Sequence, residues 1–378
     1  MPTPIVQFGT SRFLLTHVAL FVSQALQRGA EGQALGGICV VQTTRSADSA
    51  RRLAALAAGD GYPVHVRGLQ RGTIVDEWCT GHAVHEALQA GRDWLRLQHK
   101  VAHEAAVIVS NTADRGYQLD DADDAALLAP AAAVPRSFPA KLLVLLHRRW
   151  ELNRTAPLSI FPCELVERNG EVLRELLAGL ARQWAAEDDF VDWLRKHCVW
   201  ANSLVDRVVP APLQPVGAVA EPYALWAVEA QPRLQLPCRH ESILLTDDLA
   251  RHARLKLFLL NGGHSFLAER WLRDGRPTDE TVLHAMQDEG LRAELEALWH
   301  DEMLPVFDAL GLGKAARDYL VTLRERLLNP FLEHRLAEIA QNHAQKKQRR
   351  FAPLLALAGP LGLHIPQTRL RVAMSRAD

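Results

Sequence analysis

Ile5-Val-Gln-Phe-Gly-Thr-Ser-Arg-Phe13 decides the fold. A short apolar run ends at Gly9, and helical periodicity takes over through residues 13–26, so the stretch reads as strand, tight turn, helix. Such a turn aims unpaired backbone N–H groups and the positive end of a helix at a phosphate, and glycine lets the phosphate come close. Outward from it, Gly37-Ile-Cys-Val-Val-Gln42 and the helical residues 50–56 complete one strand-helix-strand unit and begin another. Residues 64–66 and 73–75 flank Arg67-Gly-Leu-Gln-Arg-Gly72 with the spacing of a hairpin. Buried-strand patterns at 105–110 and 159–161 end in polar residues, Asn111 and Thr112 after the first, Pro162-Cys-Glu164 after the second. Ligands of open α/β sheets bind at such carboxyl ends.

From about residue 247 the pattern turns helical, with periodic stretches at 249–272, 280–304, 315–328 and 331–345. The expected architecture is α/β: a Rossmann-like dinucleotide-binding domain over residues 1–240, then an all-helical C-terminal domain over 241–378. A cleft between them is the default ligand site.

At 378 residues, 48% hydrophobic and 23% charged, the chain has the balance of a folded protein with a sizeable core. Its 43 Lys and Arg against 44 Asp and Glu leave a formal charge of −1, too little field to hold a nucleic acid. The opening residues show no basic segment followed by an apolar one. No run approaches the roughly 20 apolar residues of a membrane span, so the cytoplasm is the expected location and no membrane the expected partner. Five scattered cysteines without a CxxC pair predict buried, reduced thiols and no metal site. Monomer and homo-oligomer both stay open.

The glycine turn is incomplete as a dinucleotide fingerprint. Ser11 stands where a second glycine would, which is expected to crowd a pyrophosphate, and Arg12 and Phe13 follow. The second strand ends Gln42-Thr-Thr-Arg45, without the acid that marks NAD through the ribose hydroxyls. Arg45 suits a 2′-phosphate, so NADP remains beside NAD.

Arg254-Leu-Lys-Leu-Phe-Leu-Leu-Asn-Gly-Gly-His-Ser-Phe266 sets Lys256, Asn261 and His264 in an otherwise apolar helix. At about 100° per residue, His264 lies about 80° and Asn261 about 140° from Lys256, so all three can face one cleft. Gly262 and Gly263 weaken a helix and leave room for something to approach, a ligand ring being the natural candidate. Hydride transfer from a secondary alcohol needs a base for the hydroxyl proton and donors for the oxygen. Lys256 suits the base, once desolvation lowers its pKa, and Asn261 the donor, with His264 orienting substrate. A snorkelling lysine, a helix-capping Asn-Gly and a core histidine would give the same spacing.

Lys256-x4-Asn261-Gly-x-His264 resembles the signature of the mannitol dehydrogenase family, the long-chain, zinc-independent polyol and hexuronate dehydrogenases. Gln7-Phe-Gly-Thr-Ser-Arg-Phe13, Asp60-Gly-Tyr62 with Arg67-Gly68, Val109-Ser-Asn-Thr112, Ser137-Phe-Pro-Ala-Lys141, Pro162-Cys-Glu-Leu165, Asn169-Gly170, Asn202-Ser-Leu-Val-Asp-Arg207 and Asn329-Pro330 resemble further family motifs in order. Val109–Thr112 and Pro162–Leu165 look most like the tagaturonate reductase branch. The resemblance implies a nicotinamide-dependent interconversion of a secondary alcohol and a ketone on a hexuronate or polyol. It implies Lys256 as general acid/base, Asn261 polarising the oxygen and His264 on substrate hydroxyls. To the cofactor candidates of the turn and the second strand's end, Gly9, Ser11, Arg12, Phe13, Gln42 and Arg45, the resemblance adds Asn111 and Asp206 toward the cofactor and Arg207 toward the substrate; seen alone, Asp206 with Arg207 reads equally as an ion pair and Asn111 as a turn residue. Arg326, His334 or a member of Lys346-Lys347-Gln-Arg349-Arg350 is expected to meet a substrate anion, although a basic helix end is also favoured by the helix dipole. A polyol-phosphate dehydrogenase and, because of Ser11 and Leu165, a non-catalytic nucleotide- or sugar-acid-binding member are the alternatives.

Overall fold

The computed structural model describes residues 1–29, 33–44, 46–112, 116–130 and 132–375. The chain forms two compact units. The first comprises residues 1–65, 78–220 and 224–249, the second residues 66–77, 221–223 and 250–378.

The strands in chain order are β1 (Ile5–Phe8), β2 (Ile38–Gln42), β3 (Tyr62–Gln70), β4 (Thr73–Gly81), β5 (Val84–Gln89), β6 (Val107–Ser110), β7 (Leu158–Pro162), β8 (Cys198–Trp200), β9 (Ser203–Asp206), β10 (Ala211–Pro212), β11 (Ala218–Ala220), β12 (Leu225–Glu229) and β13 (Ile243–Thr246). Six of them make a parallel sheet in the order β5-β2-β1-β6-β7-β8. Every residue of β1, β2, β6 and β7 is buried, as it must be when both faces of a parallel sheet are covered. The order reverses at β1, between β2 and β6, so the ends of β1 and β6 flank the switch point of the sheet. A second sheet runs β10-β11-β3-β4 and a third β13-β12-β9. Arg149, 1% exposed, holds the core together from inside: its guanidinium donates to the carbonyls of Val101, Ala105, Ala156 and Pro157 at 2.6–3.2 Å. These are carbonyls that the end of the helix Trp94–His103 and the entry to β7 leave unpaired.

The helix expected over 13–26 is two helices, Arg12–Thr16 and Val18–Gln27, broken at His17, whose ψ of −100 is not helical. Distant donors fill the break: the Tyr62 hydroxyl donates to the Leu15 carbonyl at 2.7 Å, and Arg207 donates to the Thr16 carbonyl. Both lie beyond the reach of a local pattern.

The second unit is helical around Leu259, Leu267, Leu298, Trp299, Phe307 and Phe351. It also takes in the tip of the β3–β4 hairpin, which a division at residue 240 leaves with the first domain. Glu325 explains the attachment, accepting the N–H groups of Arg71 and Gly72 at 3.0 and 2.6 Å. The continuous helix expected over 280–304 is interrupted where Thr281 and Asp288 cap new helices at Val282–Gln287 and Glu289–Ala297. Over 331–345 the structure likewise differs: the Asn329 side chain accepts from Phe331 N–H, Asn342 is left-handed (φ 54), and helices span only Leu336–Ile339 and His343–Arg350.

Candidate active site

Gly9 follows β1 at the switch point. Its φ of +118 is a region L side chains rarely adopt, and a Cβ there would stand 3.0 Å from the Asn111 carbonyl oxygen. That neighbour is fixed backbone. Asn111 N–H donates to the Phe8 carbonyl at 3.2 Å, and its side-chain amide donates to the Cys163 carbonyl at 2.8 Å. Gly9 and Asn111 are therefore brought together, and Asn111 ties the end of β6 to the end of β7.

Ser11 has a structural role of its own. It is the N-cap of Arg12–Thr16, its hydroxyl accepting Leu14 N–H at 3.2 Å, a role glycine fills less well. Phe13 stacks on His17 at 4.8 Å, and Arg12 reaches away to the Pro210 carbonyl at 3.2 Å. Gln42, buried at the end of β2, donates to the Thr44 carbonyl at 2.8 Å while its Oε1 has no hydrogen-bond partner among the described residues. Arg45 lies outside the described residues. Asp206, 4% exposed, ends β9 opposite Leu225. Arg207, expected near substrate, serves the helix break at Thr16.

Glu164, read in the sequence as a polar residue at a strand's carboxyl end and given no role there, gathers the ends of two strands. Its carboxylate accepts from Ser110 Oγ (3.1 Å), Thr112 N–H and Oγ1 (3.0 and 2.9 Å) and the Tyr117 hydroxyl (3.4 Å). Asn169 is a second hub, its amide bridging Pro162, Glu164 and Ser203.

In the second unit, Lys256 and Asn261 sit on a π-helical turn, Leu255–Asn261, that passes into the α-helix Gly262–Asp274 carrying His264. The α-helical wheel overstates their separation: i→i+5 bonding widens the turn and brings residues five apart closer to alignment. Lys256 and Asn261 are half-buried and His264 buried. The space at the glycines goes to the protein rather than to a ligand ring. A Cβ on Gly263 would meet the Trp299 ring at 3.1 Å, and one on Gly262 would touch Met303 and Phe351. Trp299 comes from a facing π-helical turn, Leu298–Met303, and its indole N–H donates to the Leu259 carbonyl at 3.3 Å.

Burial holds the His264 pKa well below the usual range, and His334, Arg350, Arg326 and Lys346 push it the same way. The ring is neutral near pH 7, packed edge-on to His334 at 4.9 Å. Arg326 is committed elsewhere in a buried bidentate pair with Glu221 (3.0 and 2.8 Å), over the Tyr223 ring at 4.2 Å. Arg350 donates to the Asn261 carbonyl (3.1 Å) and Ser265 Oγ (2.8 Å).

The first unit is a Rossmann-type parallel sheet with a glycine at its switch point, and the second, helical unit carries the Lys-Asn-His turn. Comparison with known proteins gives the family. The mannitol dehydrogenase Rossmann domain matches residues 3–237 and the mannitol dehydrogenase C-terminal domain residues 248–375. The chain belongs to the mannitol dehydrogenase family and is an NAD-dependent dehydrogenase acting on CH–OH groups. It is 30% identical to the altronate oxidoreductase of Klebsiella pneumoniae (95% of this chain, 75% of that one) and 29% to that of Halalkalibacterium halodurans (93% and 70%). Among solved structures, Pseudomonas fluorescens mannitol 2-dehydrogenase in complex with NAD and D-mannitol shares the fold with a TM-score of 0.74 at 21% identity, covering 99% of this chain and 78% of that one. Substrate-free D-sorbitol dehydrogenase does so at 0.79 and 19%, covering 96% and 77%.

The first unit fits the cofactor. Gly9 puts no side chain over the turn, and Gln42 Oε1 at the end of β2, without a hydrogen-bond partner among the described residues, is the kind of acceptor a ribose hydroxyl would need. No helix among the described residues is long and apolar enough to cross a membrane, and no group of three or more His, Cys, Asp or Glu among them could hold a metal ion.

Proposed function

We propose that the chain interconverts a sugar acid of the altronate type and its ketone, with Lys256 as the proton-transferring group. The observation that carries the reading is the half-buried Lys256–Asn261 π turn running into buried, neutral His264. Its setting supports it, a chain similar over nearly all its length to altronate oxidoreductases.

NAD, when bound, supplies or accepts the hydride, and Gly9, Gln42 and Asn111 are the residues that would hold it. In reduction the Lys256 ammonium gives its proton to the ketone oxygen as the carbonyl carbon gains hydride. In oxidation the neutral amine takes the hydroxyl proton and the C–H bond gives up its electron pair with the hydrogen. Asn261 donates to the oxygen as negative charge develops on it, a contact stronger in the transition state than in the ground state. Neutral His264 donates one ring N–H to a substrate hydroxyl.

The test is NADH consumption with tagaturonate, fructuronate, fructose and fructose 6-phosphate. Turnover of a keto sugar acid supports the reading. Turnover of the phosphate alone, or of no substrate with NADH or NADPH, overturns it. Lys256→Ala should lower kcat by roughly 10²–10⁴-fold and leave the Kd for NADH within twofold.

A further inference from the structure

The helix His343–Arg350 carries two basic stripes, and among the described residues only one meets a carboxylate. His343 and Lys347, one turn apart and 3% exposed each, meet the buried carboxylate of Glu269 at 2.9 and 3.0 Å. Lys346 and Arg350, also one turn apart, have no carboxylate partner among the described residues. Lys346 Nζ donates to the Ile339 carbonyl at 2.8 Å, and Arg350 donates, among the described residues, only to the Asn261 carbonyl and the Ser265 hydroxyl. Neutral oxygens do not offset the cost of removing a guanidinium from water, so a half-buried Arg without an acid is an incomplete ion pair. The strain shows in its pKa: burial, helped by Arg349, lowers Arg350 to about 10. Lys346 is lowered by burial and by Arg350. The groups that press hardest on His264 are basic, His334, Arg350, Arg326 and Lys346, and the acid acting on His334 is the exposed Glu338.

Arg350 is also tied to the reacting turn. Its Nη1 binds the backbone of Asn261 and the hydroxyl next to His264, so an anion on its free N–H groups lies beside the residues proposed to handle the substrate oxygen. A planar guanidinium presents a fork matched to two oxygens of one anion.

We infer that Arg350, supported by Lys346, is the receptor for the carboxylate of the substrate and sets the preference for a sugar acid over a neutral sugar or polyol. The inference rests on the proposed function for its substrate and names the residues that read it.

The test compares kcat/KM for tagaturonate and fructose at saturating NADH in the wild type, Arg350→Gln, Arg350→Lys and Lys346→Gln. Loss of a charge-assisted bidentate contact is worth about 100-fold. Arg350→Gln should lower the tagaturonate-to-fructose ratio by about that much, mostly through KM, with Arg350→Lys and Lys346→Gln between it and the wild type. An unchanged ratio in Arg350→Gln overturns the inference, as does a wild-type preference for fructose 6-phosphate over tagaturonate, which makes the anion a phosphate. Calorimetric binding of altronate to the wild type and Arg350→Gln separates the two proposals. Binding that Arg350→Gln weakens supports the inference even where Lys256 turns nothing over; binding that the substitution leaves alone overturns it.

Discussion

Replacing Gly9 with alanine tests whether the turn after β1 is shaped by its neighbour and by the cofactor together. The φ of +118 costs an alanine about 1–3 kcal/mol of backbone strain. The added Cβ lies 3.0 Å from the Asn111 oxygen and 3.3 Å from Leu14 Cδ1. Leu14 can shift, but the Asn111 carbonyl belongs to a segment pinned to Phe8 and Cys163, so overpacking adds about 1–3 kcal/mol. The sum, about 2–6 kcal/mol, lowers the melting midpoint of a unit this size by about 5–20 °C. Gly59 is the control: its φ is +82 with nothing within 4 Å of its Cβ position, so Gly59→Ala carries strain without collision, about 1–2 kcal/mol. Thermal scans of both variants and the wild type, with and without NAD, separate the two parts. NAD at 100 times its Kd adds about 2.7 kcal/mol to wild type, and the same increment should persist in Gly59→Ala and shrink in Gly9→Ala. If both variants lose the same midpoint and keep the same response to NAD, neither the Asn111 contact nor the cofactor lies where the argument puts it.

Tyr62→Phe leaves the Leu15 carbonyl unpaired at the helix break and should cost about 1–3 kcal/mol, read as a lower urea midpoint at unchanged m. Trp299→Leu opens the space at Gly263, so Gly263→Ala should be less damaging in that background than in wild type; a double-mutant cycle with strictly additive terms would contradict the contact. Acid should weaken the fold through His240, whose Nδ1 accepts Ser242 N–H at 3.0 Å while Nε2 faces Gln24 Oε1 at 2.8 Å, an arrangement that requires the neutral ring. Burial lowers its folded pKa to about 4 against 6.5, so the unfolded chain takes the proton first. Stability should then fall from pH 6.5 down to about 4, and His240→Gln should flatten that interval in acid-unfolding curves.

Much of the first unit was legible because a parallel sheet buried on both faces writes itself as unbroken apolar runs. Those runs at 5–8, 37–42, 105–110 and 159–161 correspond to β1, β2, β6 and β7. The Lys-Asn-His signature stood out for the opposite reason, polar groups in an apolar helix. What stayed hidden has no local signature. Nothing around residue 17 announces Tyr62 or Arg207 as donors, and a π turn has the same apolar pattern as the α-helix read in its place. The role of Glu269 in choosing which face of 343–350 is neutralised needs a contact 74 residues away.

The two units solve one problem in the same way, which argues that the irregular helices are built in and not defects. The break at His17 and the π turn at 255–261 both carry side-chain donors on their backbone carbonyls, and a buried carbonyl without any donor costs about as much as a lost hydrogen bond. In the first unit Tyr62 and Arg207 supply the donors; in the second Trp299 takes the Leu259 carbonyl and Arg350 that of Asn261. Each irregularity adjoins residues the family signature singles out, Gly9 to Phe13 in one case and Lys256 to His264 in the other. The donors thus fix the backbone that aims those groups. Substituting one of them should disturb turnover as well as stability, whereas removing the buried Arg149, which closes an ordinary helix end, should lower stability alone.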